Sequence, residues 1–122
     1  MKVFLLTFII NLSIGLGFSA TASVDKNRCT IDDIISFKIE FENADSFSNI
    51  DISSLIKDFT VISGPSQQTS MQWINGKVTN SRIMSWSLSP KREGRLVIPR
   101  LNVQISGKNS VTDKIVVFVS QS

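Results

Sequence analysis

Cys29 is the only thiol in the 122 residues, and it stands between Lys26 and Arg28 on one side and Asp32-Asp33 on the other. Nearby cations lower a thiol's pKa and raise its reactive thiolate fraction. The chain has no histidine, however, so the base that activates most catalytic thiols and hydroxyls is missing. A spare thiol near a strand end is the simpler reading, and a lone cysteine forms no disulfide within its own chain. Asp32, Asp33 and Asp51 offer the hard oxygen donors that calcium takes, but calcium needs about six to eight of them and these carboxylates have no EF-hand spacing. Acidic residues just before a strand mark a turn instead. Gly64-Pro65 and Gly94 are isolated turn residues, not a phosphate loop. No catalytic, metal or cofactor site is expected, and the chain reads as a non-enzyme.

What remains is recognition chemistry. Gln67, Gln68, Thr69 and Ser70 precede Asn75-Gly76, and Thr79, Asn80, Ser81 and Arg82 follow it. Amides and hydroxyls both donate and accept hydrogen bonds, so two such arms form a candidate contact for a partner that adds its backbone to a sheet edge. Trp73 and Trp86 are candidate sugar-stacking platforms if exposed. Lys91, Arg92, Arg95 and Arg100 gather near a turn, either as solvated turn surface or as a contact for an anionic lipid or acidic partner. The formal charge of +3 is too small to argue for nucleic acid.

These residues must be positioned by strands, because period-two alternation dominates and no stretch after the first 19 residues sustains a helical apolar face. Ala20, Ala22 and Val24 alternate with polar neighbours. Ile35, Phe37, Ile39 and Phe41 face one way while Ser36, Lys38, Glu40 and Glu42 face the other, as in an antiparallel sheet with one wet face. Residues 43–57 are rich in Asn, Asp and Ser and read as a connection, with Ile52, Leu55 and Ile56 spaced for one helical turn that plugs the core. A strand from Phe59 is expected to end at Ser63-Gly64-Pro65. Asn75-Gly76 predicts a two-residue type I′ hairpin in which Trp73 faces Val78, Met71 faces Asn80 and Gln68 faces Ile83. Trp73, Val78, Met84, Trp86 and Leu88 then share one face, the expected core face.

After Pro90, Lys91 to Gly94 form a turn. Leu96 and Ile98 begin a short strand, Leu101, Val103 and Ile105 alternate in the next, and Gly107-Lys108-Asn109 turns the chain. A last strand from Val111 to Val119 is apolar on both faces near its end, as if covered on both. This pattern predicts an all-β, immunoglobulin-like antiparallel β-sandwich over residues 20–122, with a small β-barrel as the alternative. The cysteine pair and tyrosine corner of antibody domains are absent.

The first 19 residues form a separate segment. Lys2 precedes an apolar run from Val3 to Phe18, and Ser19, Ala20 and Ala22 follow, the pattern of a secretory signal peptide. The run is marginal against the roughly 20 residues a spanning helix needs. Cleavage after Ser19 spares the first strand, whereas cleavage after Ala22 would remove part of it. Without residues 1–19 the chain loses one lysine, leaving 12 basic and 10 acidic side chains. The expected location is the periplasm; the alternative is an uncleaved N-terminal anchor in the inner membrane, facing outward.

Ala22-Ser23-Val24-Asp25-Lys26-Asn27, the segment from Phe59 to Lys77 and the segment from Leu88 to Pro99 together resemble the first extracytoplasmic domain of the BatD-type oxygen-tolerance family of bacterial cell envelopes. The resemblance implies several β domains, a membrane anchor, partners with von Willebrand A domains, a MoxR-type AAA+ ATPase and an association with oxygen or stress tolerance. It covers only the beginning of a typical member: the sequence ends at Gln121-Ser122 with no second domain or C-terminal apolar span, so a truncated product, an isolated domain or a shortened relative is expected. The resulting expectation is an envelope protein-interaction module; a secreted glycan-binding or adhesive sandwich is the alternative.

Overall fold

The computed structural model describes residues 20–42, 47–105 and 108–122. The expected leader, residues 1–19, lies outside them. Among the described residues ten strands run in chain order as β1 (Ala20–Val24), β2 (Arg28–Thr30), β3 (Ile35–Glu42), β4 (Phe47–Ile50), β5 (Phe59–Ile74), β6 (Lys77–Pro90), β7 (Gly94–Ile98), β8 (Asn102–Ile105), β9 (Lys108–Val111) and β10 (Ile115–Ser120). They form three open sheets, ordered β1-β3-β6-β5, β2-β10-β7 and β4-β8-β9. The architecture is an all-β sandwich, as expected, and not a closed barrel.

The alternation in β3 sets the core. Ile35, Phe37, Ile39 and Phe41 are fully buried, and their neighbours across the ladder are Leu88, Trp86, Met84 and Arg82 of β6. Phe37 and Trp86 stack with ring centroids 5.6 Å apart. Leu96, Ile98, Val117 and Val119 complete one contiguous cluster from the β2-β10-β7 sheet, with Val103 of β8 and Leu101 before it. Asp58 and Thr112 are the buried polar side chains among the described residues; Thr112 is satisfied, its hydroxyl accepting the Leu101 N–H at 3.0 Å while its own N–H donates to the Leu101 carbonyl.

Five expectations need correction. Residues 47–50 are strand β4, paired with β8, because a third sheet recruits this polar stretch as an edge; the turn after it is a 3₁₀ helix over Ser53–Lys57 that buries Leu55 but leaves Ile56 exposed. Strand β5 does not end at Ser63-Gly64-Pro65; it bulges there and continues to Ile74. The pairing of β2 with β10 is parallel, so the sandwich is not wholly antiparallel. The last strand is two, β9 and β10, and Phe118 is exposed, with the Arg28 guanidinium 4.9 Å over its ring; a cation seated on an aromatic face replaces the expected apolar cover. Finally, Trp73 and Val78 are exposed, for reasons given below.

Trp86→Ala is expected to cost about 3 to 5 kcal/mol, the range for removing a large buried aromatic, whereas Ser87→Ala on the opposite face should leave the urea midpoint nearly unchanged. Similar midpoints for the two variants would contradict this assignment of faces.

Candidate functional site

The β5–β6 hairpin is the longest feature of the fold and carries all the expected contact residues. Its turn is built at Asn75 and Gly76, with φ of 51° and 78°, the positive values that a type I′ turn requires. Trp73 pairs with Val78, Met71 with Asn80 and Gln68 with Ile83, and this register holds back to Ser66 opposite Ser85. Between Ser66 and Val61 it shifts twice, so that Val61 pairs with Leu88. Gly64 makes the bulge possible. Its φ is +117°, and a Cβ there would lie 2.8 Å from the Ser85 carbonyl oxygen and 2.8 Å from the Trp86 ring.

The root of the hairpin is clamped by Asp58. Its backbone carbonyl accepts the Lys91 N–H at 3.0 Å, closing the chain around Phe59 and Pro90. One carboxylate oxygen accepts from the Arg92 guanidinium at 2.8 Å and the other from the Val97 N–H at 2.9 Å, which ties the first sheet to β7. The Arg92 hydrogen bond, followed by that from Val97, holds the Asp58 carboxyl below its ordinary pKa. Lys91 donates to the Ile56 carbonyl. Two members of the basic patch therefore serve the fold locally.

Beyond the root, support is withdrawn in steps. Strand β3 accompanies β6 as far as Glu42 opposite Ser81, and among the described residues no third strand flanks 71–80. The arms are brought together as cross-strand neighbours but divided between faces. Gln67, Thr69, Asn80 and Arg82 lie on the face continuous with Trp86, and Gln68, Ser70, Thr79 and Ser81 lie on the other. Gln67 to Ser70 and Asn80 are exposed, while Thr79, Ser81 and Arg82 are half-buried. On the second face Glu40 and Glu42 border a shallow hollow of about 320 Å³ with Ser70, Gln72 and Thr79.

Trp73, Val78 and Met71 occupy the core face of the hairpin, yet all three are exposed, as is Ile74 on the opposite face. Among the described residues no opposing layer reaches them. The sequence does carry a signal for this: on that face Asn80 and Arg82 separate Val78 from Met84, and such a polar break marks where the core ends. The apolar tip is the part of the site that sequence reasoning missed.

A larger hollow, about 630 Å³, lies beside Arg28, Arg95 and Phe118, and Cys29 forms part of its wall. Burial pushes the Cys29 thiol pKa up, and the negative charge of Asp33 adds to that. Asp33 itself accepts the Thr30 N–H at 2.7 Å, closing a turn, and this hydrogen bond lowers its pKa. Among the described residues, no three His, Cys, Asp or Glu side chains converge as a metal site would require.

The model of the BatD DUF11 like domain matches residues 22–119, from within β1 to within β10. The chain belongs to the BatD family. No curated protein and no solved structure matches it. The projecting hairpin thus lies wholly inside the BatD domain. No helix among the described residues is long and apolar enough to cross a membrane.

Asp58→Asn keeps the side chain's shape but removes its charge, and is expected to cost about 1 to 3 kcal/mol near neutral pH. Because the folded pKa is depressed, the charge contributes fully above the unfolded value of about 3.9. That contribution is lost as pH falls through the lower folded value. Urea midpoints measured across pH should therefore show a gap between wild type and variant that closes in acid; a gap independent of pH would contradict the clamp.

Proposed function

We infer that this BatD domain is a non-enzymatic protein-interaction module of the bacterial cell envelope, and that the β5 side of its hairpin receives the partner. The carrying observation is the outer edge of β5, which among the described residues has no neighbour in its sheet. Edge strands are normally protected by charge, proline or bulges. Here the bulge and Pro65 sit at the root, while Ser66 to Ile74 carry neither charge nor proline. The backbone groups of this stretch are available to an added strand, and Gln67 to Ser70 and Thr79 to Arg82 supply side-chain hydrogen bonds around it.

Residues 1–19 serve as the export signal in this reading, and the domain works in the periplasm or held at the outer face of the inner membrane. Envelope proteins with von Willebrand A domains are the proposed partners, with a MoxR-type ATPase in the same system and oxygen or stress tolerance as its outcome. The glycan-binding alternative retains one stacking surface, since Trp73 is exposed while Trp86 is buried.

Photocrosslinking amino acids placed at Gln68 and Asn80 in cells should give specific adducts with envelope proteins, and the same probe at the exposed Lys114 should not. Equal adduct yields at all three positions would remove the case for a partner-binding hairpin.

A further inference from the structure

The hairpin tip has a composition that the arms do not. Trp73 is 75% exposed, Met71 66%, Ile74 54% and Val78 45%. By register Trp73, Met71 and Val78 point to one side and Ile74 to the other. A flat docking surface would cover one side only, whereas a projecting end with apolar groups on both sides suits a medium that surrounds it. From Phe59 to Pro90 the sequence contains no acidic residue, and its two charges are Lys77 and Arg82. The acids nearest in register, Glu42 opposite Ser81 and Glu40 opposite Ile83, line one hollow with Ile74 on the second face, so the side that carries Met71, Trp73 and Val78 is the one without acid.

Direction supplies an independent observation. Ala20 pairs with Phe41, and Phe41 with Arg82, so the chain enters β1 at the end of the sheet from which the hairpin projects. While residues 1–19 remain attached, the apolar run from Val3 to Phe18 precedes the domain at that end.

We propose that the tip, Met71 to Val78, is a membrane-interface contact that seats on an anionic phospholipid surface. Indole rings settle at the headgroup boundary, and the Lys77 stem can lie along apolar groups while its ammonium reaches lipid phosphates. The tip remains shallow, because the open edges of the hairpin carry backbone groups that hydrocarbon cannot satisfy. The proposal goes beyond the protein-partner reading and does not require it: of the β5 edge offered to an added strand, Met71 to Ile74 belong to the tip, while Ser66 to Ser70 lie back from it.

The test uses the exported protein purified from the envelope fraction, carrying Trp86→Phe so that Trp73 is the sole reporter; residues 1–19 contain no tryptophan. Vesicles of phosphatidylethanolamine and phosphatidylglycerol, with bromine on the upper acyl carbons, should blue-shift and quench Trp73 emission and protect it from acrylamide. Lys77→Gln should weaken the dependence on phosphatidylglycerol, and Trp73→Ser with Ile74→Ser should lower binding measured by vesicle flotation, which needs no tryptophan emission, by about tenfold or more, the change expected from about 1.4 kcal/mol of lost apolar contact. If Trp86→Phe fails to fold, the difference between wild type and Trp73→Phe carries the same readout. Trp73 that stays unquenched and acrylamide-accessible at saturating lipid overturns the proposal, even if the protein floats through another segment. A blue shift that needs only higher protein concentration, or only lipid-free envelope proteins, overturns it in favour of a second copy or a protein partner.

Discussion

A mismatch of lengths governs this domain: among the described residues the β5–β6 hairpin is longer than the layers that cover it. Strand β3 leaves β6 at Glu42, and the buried cluster takes in Trp86 and Leu88 on β6, with Met84 only partly buried against it. Everything distal keeps its ladder of backbone hydrogen bonds but loses its core. The same alternation that buries Trp86 therefore exposes Trp73. Burial here is decided by distance along the strand as much as by which face a side chain occupies.

Such an overhang requires a firm root, and two local devices provide one. Asp58 joins the start of β5, the turn after β6 and the backbone of β7 through one carboxylate and one carbonyl. Gly64 lets β5 bulge directly against Trp86, where any larger residue would strike both backbone and ring. The bulge absorbs the register change near the core, so the distal ladder runs unbroken to Asn75-Gly76. The outcome is a rigidly based but poorly covered arm inside a BatD domain, with polar groups along its length and apolar groups at its end.

Much of this was legible in residue order. The strict alternation of Ile35 to Glu42 identified the central strand, and Asn75-Gly76 specified both turn and register, because few residues tolerate its backbone angles. The polar arms were recognisable because amides and hydroxyls filled both faces. What could not be read from local pattern depended on non-local partners. Phe47–Ile50 becomes a strand only because β8 lies beside it, and β2 pairs parallel to β10 across nearly the whole chain. The bulge at Gly64 resembled a strand end because glycine followed by proline usually is one. Trp73 and Val78 share the face of Trp86, and alternation alone does not show that the polar residues between them and Met84 mark the end of the core.

Residue-resolved amide hydrogen exchange along β5 and β6 tests the overhang most directly. The account predicts a step near Ser81: amides from Ser81 to Leu88 should exchange only on global unfolding, while those beyond, on both arms out to the turn, should exchange through local opening at much lower cost. Uniform core-like protection out to Ile74 would show that the tip is covered, and loss of all protection on β5 beyond Ser63 would show that the strand ends at the bulge. Either result would contradict the account.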